Sequence, residues 1–120
     1  MPKLLMFNIS DPKKREQLKV LSVRLNYRCM DVPPEKQGNS LRALLLEKDS
    51  GERGFVPFSE EMLVMNGFPM GDLDFFLDEL RRTGNGVGLK AVVTETNVSW
   101  SALQLHHTLM LEAISLGGKK

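Results

Sequence analysis

Residues 62–65, Met-Leu-Val-Met, and residues 89–94, Leu-Lys-Ala-Val-Val-Thr, are short apolar runs that each give way to a polar turn and then to a helical pattern. Between them, from about Gly71 to Arg82, Leu73, Phe76, Leu77 and Leu80 recur at the i, i+3, i+4 and i+7 spacing of one helix face. Asp72 and Asp74 stand in the first turn of that helix and Arg81 and Arg82 in its last, where each charge complements the helix dipole. Gly84 is placed to end it. A helical crossover between two strands favours parallel pairing, because parallel neighbours need a connection of a dozen or more residues. The unit indicates an α/β domain. It names no reaction.

On either side of this unit the pattern continues. Residues 3–9, Lys-Leu-Leu-Met-Phe-Asn-Ile, read as a buried strand. Asp11 can cap the helix that follows and Pro12 fits its first position, with Leu18, Leu21 and Leu25 at helical spacing. Tyr27 to Val32 reads as a second, weaker strand closed by Pro33-Pro34, and Asn39 or Ser40 can cap a short helix carrying Leu41, Leu44 and Leu45. Glycines 51 and 54 with Pro57 make residues 49–59 a loop, which Phe55 and Phe58 are expected to pin to the body. Beyond residue 94, Thr96, Asn97 and Ser99 are candidate caps for a terminal helix ending near Leu116. That helix carries two apolar stripes: Trp100, Leu103, His107, Met110, Leu111 and Ile114 on one side, and Ala102, Leu105, Leu109, Ala113 and Leu116 on the other.

These elements predict a single α/β domain over residues 1–120, with a strand–helix half (1–48), a loop (49–59) and a strand–helix–strand–helix half (60–118). The expected architecture is a four-stranded, largely parallel sheet with helices on both faces, in the flavodoxin-like order 2-1-3-4. A ferredoxin-like α+β arrangement is the alternative.

With 42% hydrophobic and 26% charged residues the chain reads as globular and not disordered. No apolar run is long enough to span a bilayer, and Asp11-Pro12 arrives too soon for a secretory leader. A lone cysteine, Cys29, cannot form an intramolecular disulfide, so the cytoplasm is the expected compartment. Net charge is +1, which gives no overall case for nucleic acid or membrane. Through Phe58 there are 11 Lys/Arg against 7 Asp/Glu, and from Ser59 onward 5 against 8. The excess around Lys13-Lys14-Arg15, Lys19, Arg24 and Arg28 reads as a solvated helix face, since no aromatics are interleaved with it.

Glu61-Met-Leu-Val-Met-Asn-Gly-Phe68, Leu73-Asp-Phe-Phe-Leu77 and Leu89-Lys-Ala-Val-Val-Thr-Glu-Thr-Asn97, with Trp100 three residues on, resemble an uncharacterised bacterial family, number 3783 in the domain-of-unknown-function series. The likeness covers about the last sixty residues and is looser before Ser59. Asn66 stands where that family often has Cys, Glu95 where it has Pro, and the terminal helix here is less acidic, so no thiol role is transferred. The resemblance implies no activity, cofactor or site.

Ligands of an open parallel sheet bind at the carboxyl ends of its strands. Those ends hold Asn8, Ser10 and Asp11, then Asn66 and Gly67, then Thr94, Thr96 and Asn97, a set of small hydrogen-bonding groups suited to an anion or polar metabolite. Ordinary caps and turns contain the same residue types. A phospho-acceptor receiver is excluded by Asn66 where an aspartate is needed. Gly84-Asn-Gly-Val-Gly88 follows a helix and precedes a strand, the reverse of a phosphate loop. His106 and His107 point about 100° apart on a helix and cannot chelate one ion, and His107 is expected as a core or interface residue. Cys29 is expected to be buried and inert.

No catalytic residue, metal or cofactor is expected. Two functions compete. The first is a non-catalytic interaction or regulatory module that self-associates, as a dimer, through Leu105, Leu109, Ala113 and Leu116, with Phe75 as a further contact. The second is a small-molecule binder, or a weak enzyme, using the strand-end groups.

Overall fold

The computed structural model describes residues 1–49 and 54–117, with side chains through Ile114. Four strands, β1 (Lys3–Phe7), β2 (Arg28–Val32), β3 (Met62–Asn66) and β4 (Leu89–Val92), form one sheet in the order β2-β1-β3-β4. The helices are α1 (Pro12–Leu25), α2 (Leu41–Leu45), α3 (Met70–Arg82) and α4 (Ala102–Gly117), with a 3₁₀ turn at Pro34–Lys36. The fold is α/β in the expected strand order.

The sheet is mixed and not largely parallel. β1–β2 and β3–β4 are parallel, as their helical crossovers require, but the central pair β1–β3 is antiparallel, with Lys3 opposite Asn66 and Phe7 opposite Met62. The reason lies in the connection from β2 to β3. It carries the end of α2 to the start of β1, where Lys3 Nζ donates to the Leu45 carbonyl at 2.8 Å and Arg28 pairs with Glu47, and by Phe58 it is back beside the end of β1. The chain then re-enters the sheet at the end from which β2 left it, where Asn8 Nδ2 donates to the carbonyls of Phe58 and Glu60.

Local chemistry explains the helix ends. Asp11 caps α1 by accepting from the Lys13 N–H, and Pro12 occupies the first turn. Ser40 caps α2 through the Ala43 N–H. α3 ends before Gly84, whose φ of +75° is the left-handed region that glycine adopts without strain. α4 begins later than Thr96, Asn97 or Ser99 would have it. Thr94 and Asn97 close a separate turn on each other, and Ser101 Oγ accepts from the Gln104 N–H.

Both faces of the sheet are covered. α1 and α3 pack on Leu4, Met6, Leu63 and Met65, while α2 and α4 pack on Leu5, Phe7, Met62 and Val64. The alternation follows from the period of two along a strand. Within the first layer Phe76 meets Tyr27 edge-on, with centroids 5.6 Å apart, and Phe68 at 5.4 Å.

Candidate functional site

The antiparallel central pair separates the strand ends. Asn8, Ser10 and Asp11 follow β1 at the edge where β3 begins, whereas Asn66, Gly67, Thr94, Thr96 and Asn97 lie at the opposite edge, beside the start of β1. The expectation of one polar ring therefore fails, because it assumed that every strand ran the same way. Several of these residues hold the chain's own backbone. Asn8 has φ +60° and clips the loop carbonyls; Asp11 caps α1; Thr94 and Asn97 bond each other's backbone, and Asn97 Nδ2 also donates to the Val92 carbonyl. Asn8 and Ser10 do line a shallow cleft of about 610 Å³ with Asp31, Pro33 and Ser59. Ser10 and Thr96 are exposed.

The best-built polar cluster is one that sequence reasoning missed. Gln37 is completely buried, its Oε1 accepting from the Phe58 N–H at 2.9 Å and its Nε2 donating to the Phe58 carbonyl at 3.3 Å. The Phe58 ring lies 5.7 Å from that of Phe7 and stacks on His106 at 3.9 Å, nearly parallel. Nε2 of His106 is 2.8 Å from Glu60 Oε1. Thus Phe58 pins the loop as expected, and Phe7, Gln37 and His106, from three other segments, hold it between α4 and the sheet. His106 does this, not His107, which is exposed. No spacing pattern announces such a cluster, since its members are remote in sequence.

Glu60 is held below the ordinary carboxylate value of 4.5, first by its own backbone N–H and then by His106. A depressed folded-state pKa contributes stability that is present above the unfolded value and lost as pH falls through the folded one. Urea midpoints of the wild type and Glu60→Gln are therefore expected to differ at pH 7 and to converge as pH drops below 4.5. Parallel curves across that range would refute the assignment.

Burial pushes the Cys29 thiol up, and its Sγ sits 3.8 Å from the Leu18 carbonyl, the setting of an inert cysteine. Burial also raises Tyr27, whose hydroxyl donates to the Leu18 carbonyl. Arg15 pairs with Asp31, and Arg28 with Glu47, so part of the basic excess is neutralised along β2.

The candidate association residues divide sharply. Leu105 is 3% exposed and, with Ala102, belongs to the chain's own core; Leu109 packs against that core. Leu105 is corrected accordingly from interface to core. Phe75 is half-buried beneath Arg24, whose guanidinium carbon lies 4.8 Å from the ring centre. The helix continues past this packed stretch, and there Leu111 is 54% and Ile114 66% exposed, with Ala113 exposed between them. The side chain of Leu116 lies outside the described residues.

Residues 61–114 match the family described as Domain of unknown function (DUF3783), which confirms the resemblance over β3, α3, β4 and most of α4. No curated protein and no solved structure matches the chain. Among the described residues no helix is long and apolar enough to cross a membrane.

Proposed function

We propose that this chain, with residues 61–114 forming a DUF3783 domain, is a non-catalytic interaction module that dimerises through the distal half of α4. The observation that carries the reading is the exposed apolar pair Leu111 and Ile114 on a helix whose only formal charge is Glu112. A single isolated leucine on a surface needs no explanation, but a helix end with two exposed apolar side chains and one charge favours a second apolar surface. A second copy supplies one by two-fold pairing, in which each chain offers the same patch.

The exposed parts of these two side chains, counted on both copies, are worth about 4–7 kcal/mol on burial. Lost translational and rotational freedom offsets much of this gain, so the expected dimer is weak and is sought between about 10 μM and 1 mM. Light scattering over that range is expected to show the mass rising from one chain to two. Leu111→Glu with Ile114→Glu is expected to stay monomeric with an unchanged melting temperature. A wild type that remains monomeric throughout would end this reading.

A further inference from the structure

The two halves of the chain are copies of one design. β1 leads through α1 to a parallel β2, and β3 leads through α3 to a parallel β4. The register places Lys3 beside Arg28 in one half and Met62 beside Leu89 in the other. Each first strand ends in a left-handed residue, Asn8 at φ +60° and Gly67 at +77°. Each first helix also ends in one, Asn26 at +56° and Gly84 at +75°, closed by the Tyr27 N–H to the Ser22 carbonyl and the Asn85 N–H to the Leu80 carbonyl. α1 and α3 lie on one face of the sheet, and α2 and α4 on the other.

The join between the halves obeys the same relation. Along β1–β3, Leu5 faces Val64 at the centre and the pairing reads identically from either strand. On the second face Ser40 and Ser101 form an antiparallel bridge, and each caps the helix after it. The Leu41 N–H donates to the Trp100 carbonyl and the Ala102 N–H to the Asn39 carbonyl. The Arg42 N–H donates to the Val98 carbonyl and the Leu103 N–H to the Gln37 carbonyl. Each bond has its mate under a two-fold axis through the sheet. Reciprocal contacts of this kind are the signature of a dimer interface between like subunits.

We infer that residues 3–45 are a second strand–helix–strand–helix unit of the same fold as the family-matched half, and that their join is a dimer-type interface which a second copy of this chain can fill by exchanging units. The two units are linked through residues 46–61, so a unit from another copy meets the same partner surface as the chain's own. Exchange re-forms every inter-unit contact and creates none that is new, which is why such swaps cost little. This association differs from that through distal α4, because it requires unfolding to form or to separate.

The test uses two full-length variants, both also carrying Leu111→Glu and Ile114→Glu to remove association through α4. Leu5→Pro breaks the first unit and Val64→Pro the second, since proline deletes a donor in the middle of a central strand. Each alone is expected to lack native near-UV circular dichroism. Refolded together, they are expected to give a one-to-one heterodimer by native mass spectrometry. It should carry about half the wild-type near-UV signal per chain, because two chains then share one complete sheet. As a second measurement, Leu111→Glu/Ile114→Glu protein with both units intact is refolded at rising concentration. A dimer fraction that survives native dilution, and reverts only after unfolding and dilute refolding, supports the exchange. A mixture without heterodimer or near-UV signal, or intact chains that refold only to monomer, would overturn it.

Discussion

Phe76→Ala is expected to destabilise the protein by about 3–5 kcal/mol, the range for deleting a large aromatic side chain from a sealed core. The ring is 0% exposed and makes edge contacts with both Tyr27 and Phe68, whose own centroids are 5.0 Å apart. Those three residues come from α3, the position just before β2 and the turn after β3, so the cavity would open where the two halves of the first layer meet. Neighbouring side chains cannot all collapse into it, because Tyr27 is tethered by its hydroxyl to the Leu18 carbonyl. Against a typical total stability of about 5–15 kcal/mol this loss is large. Urea unfolding followed by circular dichroism should show a midpoint far below that of Phe75→Ala, which empties a half-exposed site beneath Arg24. Equal midpoints for the two variants would mean that the aromatic cluster is not a centre of stability.

Leu105→Glu is expected to abolish folding, while the same substitution six residues later at Leu111 leaves the fold intact. Leu105 sits in the layer formed by Leu5, Phe7, Val64 and Ala102, where a carboxylate would lose its hydration with nothing to pair it. The cost of an unpaired charge in such a layer exceeds about 5 kcal/mol unless the group takes up a proton, and protonation still leaves an unsatisfied polar group. At Leu111 more than half of the side chain already faces water, so the charge is solvated and only association is lost. Far-UV circular dichroism separates the outcomes directly. A folded Leu105→Glu protein would show that the first turns of α4 are not anchored as described.

Most of the elements were legible before any tertiary structure. The strands, the α3 face and the Asp11 cap follow from spacing and side-chain chemistry that act within a few residues. The order 2-1-3-4 agrees with the expected one, although right-handed crossovers alone do not select it. The direction of the central pair was not legible. An apolar run such as Leu4-Leu-Met-Phe7 presents the same alternation whichever way its neighbour runs, and the direction depends on where the connection over residues 33–61 delivers the chain. The polar strand-end set inherited that error. In α4, residues of both expected stripes, Leu103 with Leu105 and Leu109, pack on the sheet, but Trp100 precedes the helix, His107 is exposed, and a stripe does not state how far along its length a sheet will cover it.

The cluster of buried Gln37 and Phe58 with His106 and the exposed Glu60 had no local signal at all, and neither did the two-fold relation between the halves. Identical backbone roles are filled by different residues, Asn8 against Gly67 and Asn26 against Gly84, because a left-handed turn accepts either type. The sequence by itself determined which segments become strands and helices and where they stop, since those choices rest on dihedral preferences and short-range hydrogen bonds. Only the tertiary structure decided how the two halves face each other and which part of α4 remains bare. Those outcomes depend on contacts between residues dozens of positions apart, whose partners are chosen by packing.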